Sequence, residues 1–174
     1  MHRHIASIAI LAGVAGGLTS AARGDDYTFS YSSISVCGHG MLSAISNGDG
    51  SLSVMSGQLF VTSSSAAGSY DLIPNKNGRA AVLSPSGFFI VDNQLFPIQN
   101  TKMNVYGLLF GNGKTEVNIW GNGDGNPYTF YAHGKKSGDV SSHGSFALSS
   151  VPAPGAAVLM TAGCLTMGLR RRRE

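Results

Sequence analysis

Apolar and polar residues alternate along much of this chain. Tyr27, Phe29 and Tyr31 alternate with Thr28, Ser30 and Ser32, the period of two that puts each set on its own face of a strand. His39 to Ile45 predicts a second strand. Asn47-Gly-Asp-Gly50 predicts a turn, because Asn-Gly and Asp-Gly tolerate positive φ. Ser51–Gly57 and Gln58–Ser64 read as two closely spaced strands, and Tyr70–Ile73 as a short one ended by Pro74. Ala80–Leu83 and Phe88–Val91 flank Ser84-Pro-Ser-Gly87, a compact hairpin connection.

The pattern is clearest in the last third. Val105–Phe110 predicts a strand, turned by Gly111-Asn-Gly-Lys114. Thr115–Trp120 follows, with Val117 and Ile119 on one face and Glu116, Asn118 and Trp120 on the other. Gly121–Asn126 turns again, Pro127–Ala132 is a strand, and Ser145–Leu148 is the final one. Residues 134–144 read as a loop and 149–154 as a linker. No stretch of the middle region shows a sustained helical stripe. About eight to eleven short antiparallel strands define an all-β domain, a sandwich or a small barrel. Closure removes exposed edges, which favours the barrel-like form.

The two ends follow different rules. His2-Arg3-His4 is basic, Ile5–Leu18 is a short apolar run, and Ala22-Arg23-Gly24 supplies small residues at the two positions flanking Arg23. These are the three parts of a secretory signal peptide, residues 1–24, passing through the Sec machinery to signal peptidase. Cleavage after Gly24 or Ala22 competes with retention as an uncleaved anchor. At the other end, Val151-Pro-Ala-Pro154 precedes an apolar run over residues 155–169, then Arg170, Arg171, Arg172, Arg173 and Glu174. Fifteen residues make a helix of only about 22 Å, against a bilayer core of about 30 Å. Such a helix is a marginal membrane span, and its arginines belong on the cytoplasmic side. Pro152 and Pro154 keep the preceding segment extended.

This C-terminal order resembles the PEP-CTERM sorting signal, with Pro152-Ala153-Pro154 where the family carries Pro-Glu-Pro. The runs Asp92–Pro97, Gly107–Phe110, Val117–Trp120 and Tyr128–Phe130 are also similar to small passengers of that family. The resemblance implies an exported substrate of an exosortase-type membrane protease, anchored for a time and then released to the cell surface or an exopolysaccharide matrix. An ordinary C-terminal anchor is the alternative. The expected organisation is a signal peptide over 1–24, a passenger over 25–150 and a sorting segment over 151–174.

Charge changes the picture once it is divided. The whole chain carries +3, but residues 25–150 hold six basic and eight acidic side chains, a net of −2. The basic excess belongs to the ends, which removes support for a nucleic-acid partner. Cys37 is the passenger's single cysteine, so no internal disulfide can form there.

Candidate chemistry is sparse. Asn122-Gly-Asp-Gly-Asn126 imitates a calcium loop, but Pro127 and His133 stand where an EF-hand requires glycine and a carboxylate. Cys37 and His39 share one strand face, and only a fold bringing in His133 and His143 would make a zinc site. Asp49, Asp71, Asp92, Glu116, Asp124 and Asp139 offer no visible pairing for glycosidase chemistry. No Gly-x-Ser-x-Gly elbow is present. The sequence therefore predicts a non-enzymatic protein without a cofactor or metal. Exposed aromatics supply the alternative function, a carbohydrate-binding module. Trp120 and Tyr128, with Tyr106 and Tyr131 nearby, would stack on sugars; the competing reading makes Trp120 core.

Overall fold

The computed structural model describes residues 24–123, 127–134 and 138–152. These contain strands and no helix: β1 (Asp25–Ser32), β2 (Cys37–Ser46), β3 (Leu52–Ser63), β4 (Gly68–Leu72), β5 (Val82–Leu83), β6 (Ile90–Val91), β7 (Gln94–Leu95), β8 (Leu108–Gly111), β9 (Thr115–Trp120), β10 (Tyr128–Gly134) and β11 (Val140–Ser150). The expected signal peptide, apart from Gly24, and the whole apolar segment 155–169 lie outside the described residues.

Eight strands form a closed antiparallel barrel. Their order is β2-β1-β11-β10-β9-β8-β4-β3, and pairing of β2 with β3 completes the ring. Each strand follows its sequence neighbour around the barrel except at β4, which reaches β8 only after residues 73–107. A sandwich is not formed, because one sheet curls onto itself. Alternation fills the interior. Phe29, Tyr31, Leu42, Leu59, Leu108, Phe110, Val117, Ile119 and Phe130 are all buried there. Gly40 makes room: a Cβ on it would lie 2.5 Å from the Phe29 ring and 2.0 Å from the Gln58 carbonyl. Phe29 then stacks between Phe110 and Phe146, at 5.8 and 5.6 Å.

Three sequence expectations are corrected. Ser51–Gly57 and Gln58–Ser64 are one strand, β3. Met55 is left over between the pairs Ser43–Ser56 and Ala44–Val54. This bulge switches the inward phase from Leu52 and Val54 to Leu59 and Val61, which made the strand read as two. Second, the strand expected over Val105–Phe110 begins only at Leu108. Gly107 has φ +65°, and a Cβ there would meet the Ile119 carbonyl at 2.1 Å, so the chain turns sharply before it pairs. Third, β11 takes in Val140–Gly144, assigned above to a loop. Polar Ser142 enters the barrel because its backbone oxygen accepts the Tyr31 hydroxyl at 2.8 Å.

Residues 73–107 close the seam between β4 and β8, which share just the pairs Asp71–Gly111 and Leu72–Phe110. Asn93 is the key residue. Its backbone N–H donates to Gly107 O at 3.0 Å and its carbonyl accepts from Val54 N at 2.9 Å. Its side chain accepts from Leu109 N at 2.9 Å and donates to Ile73 O at 2.8 Å. Asn93 is 1% exposed with φ 53°, a left-handed conformation that asparagine tolerates better than most residues. The hairpin of β5 and β6 then lays Phe89 and Val91 over Leu109 on the barrel's outer wall.

Asn93→Ala should strand the buried Leu109 N–H and Ile73 carbonyl and strain the backbone. A loss of about 3 kcal/mol follows. Urea unfolding of the barrel checks it; a change below about 1 kcal/mol would show that the seam does not depend on this side chain.

Candidate functional site

The outer wall of β8, β9 and β10 carries a chemically varied surface. On β10, the period of two aims Tyr131 and His133 outward. On β9, Glu116 stands opposite His133 in the register. The β5–β6 hairpin crosses this wall and brings its tip to Glu116. Ser86 N donates to one carboxylate oxygen at 2.9 Å and Ser86 Oγ to the other at 2.6 Å. The tip itself is shaped by Gly87, at φ +77°, whose N–H donates to Ser84 O at 2.8 Å.

Beside this latch lies a cleft of about 340 Å³, bordered by Ser86, Lys114, Thr115, Glu116, His133 and Gly134. Outside this border, two aromatic rings gather around His133. The Phe88 ring stacks on His133 at 4.0 Å, nearly parallel at 6°, with Tyr131 at 5.4 Å. Phe88 nevertheless remains 48% exposed. Asp139 fixes the other two rings, accepting the Tyr131 hydroxyl at 2.9 Å and facing His133 Nδ1 at 2.8 Å. An ionised carboxylate only accepts, so the Nδ1 proton points at Asp139. The Tyr131 hydroxyl first, and His133 second, hold the Asp139 carboxyl below its usual range. The same bond raises the Tyr131 phenol.

The aromatics singled out from sequence are placed differently. Trp120 is half-buried and packs against the cluster of Phe89, Val91 and Leu109 beneath the hairpin. Tyr128 points into the barrel, 9% exposed, and its oxygen accepts Lys102 N at 2.6 Å. Neither presents an open stacking face. Tyr106 is 39% exposed but lies outside the cleft's border.

The remaining candidates stay apart. His39 stacks on Phe60 at 5.7 Å, His143 meets Thr129 Oγ1 at 3.0 Å, and Cys37 is exposed. Among the described residues no three His, Cys, Asp or Glu side chains converge on a metal position. Asp49 caps its own turn through Ser51 and meets Arg79 at 2.6 Å. Ser51's hydroxyl and amide, and then Arg79, hold its carboxyl far below the usual range. Asp92 is buried at 5% exposure, and desolvation raises its pKa although Asn104 and the Gln94 amide donate to it. Of the calcium-like loop, Asn122 donates to the Pro127 carbonyl and to Thr129 Oγ1, whereas residues 124–126 lie outside the described residues. Val151 and Pro152 are exposed at the rim; Ala22, Ala153, Pro154 and Arg170–Arg173 lie outside.

The architecture is thus a closed eight-stranded barrel with a latched hairpin bordering a cleft of mixed lining. Comparison of the chain with protein-family models, curated proteins and solved structures finds no match.

Because Asp139 is stabilised in its ionised form, its contribution is present above the unfolded carboxyl pKa of about 3.9 and is lost as pH falls through the lower folded value. The carboxyl ¹³C titration of Asp139 should therefore have its midpoint below about 3.9. Tyr131→Phe should raise it more than His133→Gln does, following the order of the two causes. The reverse order would mean that the imidazole governs Asp139.

Proposed function

We propose that this chain is a non-enzymatic exported protein of the PEP-CTERM type, carried by the Sec machinery, trimmed by signal peptidase and sorted by an exosortase-type membrane protease. It is anchored in the membrane for a time and then resides at the cell surface or in an exopolysaccharide matrix. One observation supports this most. The barrel fills the interval between the two address segments: β1 starts at Asp25 and β11 ends at Ser150. Val151 N still donates to Asp26 O at 2.8 Å, which sets the two chain exits side by side on one rim. Everything beyond that pair reads as address, and everything between reads as barrel.

The second reading, carbohydrate binding, gains from the cleft rather than from Trp120. The half-exposed Phe88 ring beside the cleft's His133, and the hydroxyl and carboxylate groups of its border, are the apolar and hydrogen-bonding elements that sugar recognition uses.

Mass spectrometry of envelope and secreted fractions, from a host carrying an exosortase, tests the sorting. The mature chain should begin after about Gly24 and end near Val151–Pro154. Deleting Arg170–Arg173 should weaken membrane retention. Replacing Pro152 and Pro154 with Ala should leave insertion intact and block the C-terminal cut. Recovery solely of chains ending at Glu174 would make the tail a plain anchor.

A further inference from the structure

We infer that the rim of the barrel at which both chain ends leave docks on the bilayer surface, with Ile98, Val105 and Tyr106 entering the headgroup layer of a zwitterionic membrane. The inference rests on the membrane anchor proposed above and adds the surface of the folded domain that meets the lipid.

The length of the tether is the first observation. Val151 is fixed to the rim through its bond to Asp26, and Pro152, Ala153 and Pro154 alone separate it from the apolar run over residues 155–169. A tripeptide spans at most about 11 Å, against a headgroup layer about 5–8 Å deep on each side of the core. As a helix the run covers about 22 Å of a core of about 30 Å, a shortfall that draws the junction inward. A rim tied this closely stays within contact range of the headgroups.

What that rim presents is the second. β3 starts there and β9 ends there, and the segment 96–106 crosses between them. A Cβ on Gly50, in the β2–β3 turn, would meet Ile98 Cδ1 at 3.2 Å. Gly121, just past β9, donates to Asn104 O at 2.9 Å. The segment is firmly held: Met103 joins the barrel core, and Lys102 N donates to the Tyr128 hydroxyl oxygen. Phe96 to Gln99 form a turn closed by Gln99 N on Phe96 O at 3.0 Å, with Pro97 at its second position and Ile98 at its third. The Lys102 ammonium donates to the Pro97 and Gln99 carbonyls and braces the turn.

Turn tips favour glycine, asparagine, aspartate and serine, yet this one holds an isoleucine that is 84% exposed. Val105, 63% exposed, and Tyr106 follow on the same segment. Apolar groups fixed beforehand lose little freedom on insertion. A tyrosine suits the boundary, because its ring is apolar and its hydroxyl can stay wet. Asp25 and Asp26 are exposed beside the chain exits, so the contact is apolar and not an attraction to anionic headgroups. Docking of this kind would hold Pro152–Pro154 at the interface, where a membrane-embedded protease works.

The test uses the full-length chain reconstituted in phosphatidylcholine vesicles, with flotation after carbonate extraction to read the anchor. In a Trp120→Phe background, Ile98→Trp and Val105→Trp each place a lone indole on the tethered rim. Ile34→Trp places it in the β1–β2 turn at the opposite rim. Phosphatidylcholine brominated near the head of its acyl chains should quench the first two at least about threefold more than the third, since interfacial apolar groups sit about 5–10 Å deep. Adding Ile98→Asp to the Val105→Trp chain should weaken its quenching by at least about twofold, because a carboxylate resists insertion. Circular dichroism and melting temperature establish that the variants fold, and a parent keeping Trp120 serves by difference if its replacement unfolds the barrel. A chain that floats with both rim indoles unquenched, or quenched no more than Ile34→Trp, overturns the docking and keeps the anchor. Quenching indifferent to Ile98→Asp also overturns it, because tether length alone would then bring the rim close. A chain that does not float overturns the anchor, and the docking with it.

Discussion

Closing the ring between β4 and β8 is the constraint on which the rest depends. Two register pairs join those strands, and below them β4 ends while β3 and β8 continue. Their backbone groups would face an apolar interior without partners, at a cost of about 1–3 kcal/mol each. The segment Asp92–Leu95 is inserted there like a short stave. Its backbone pairs with Val54 and Gly107, β7 pairs with Leu52 and Ser53 of β3, and the Asn93 side chain serves Ile73 and Leu109. An asparagine is suited to this, because its amide carries a donor and an acceptor at one terminus and its backbone accepts positive φ. The buried Asp92 follows from the same arrangement. It is drawn under with its neighbour and is satisfied by Asn104 and the Gln94 amide rather than by a cation.

Once the seam fixes residues 92–95, the preceding hairpin has little choice of position. It must lie against the outside of β8, β9 and β10. That explains why Leu109, on the outer face, is as buried as residues inside the barrel, at 1% exposure. It also explains Trp120. A strand with apolar Val117 and Ile119 inward would normally leave its other face to water. Here that face has a second cover, and Trp120 joins the cluster under it. The latch of Ser86 on Glu116 is the far end of the same tie.

The regular parts of the barrel were legible in the sequence because their signals are local. β1 shows unbroken alternation, and β9 was placed from Thr115 to Trp120 as observed because Gly-Asn turns bound it on both sides. Signals failed where a partner strand decides the outcome. Met55 looks like any apolar strand residue, and only its lack of a partner between Ser56 and Val54 makes it a bulge. β7 has two residues and exists solely because β3 has an edge to fill. Site residues divide in the same way. Tyr131 and His133, two apart on β10, share an outward face by simple periodicity. Phe88 reaches His133, and Ser86 reaches Glu116, from 45 and 30 residues away in sequence, and no local pattern encodes such a meeting. Trp120 packs under the hairpin, while the exposed ring beside His133 is Phe88 of the hairpin itself.

Strand direction links these observations to the proposed role. In an antiparallel ring of even strand number, a chain that enters at one rim also leaves there, and the Val151–Asp26 hydrogen bond is the direct expression of that parity. With signal and sorting segments attached at a single rim, the barrel stands on its two ends. The opposite rim is carried away from them by the length of a strand, about 20 Å for six residues. The cleft takes its walls from Thr115 and Gly134 at that opposite rim, and the hairpin tip is held there by Glu116. Insertion 73–107 starts at Ile73, which pairs with Leu109 and borders the cleft, seals the seam, and brings Ser86 to the same cleft. Residues that close the barrel and residues that border the cleft therefore belong to one continuous segment. On the proposed reading, loss of the Asn93 seam would release the fold and the cleft together, whereas changes at Phe88 would leave the tethered barrel intact.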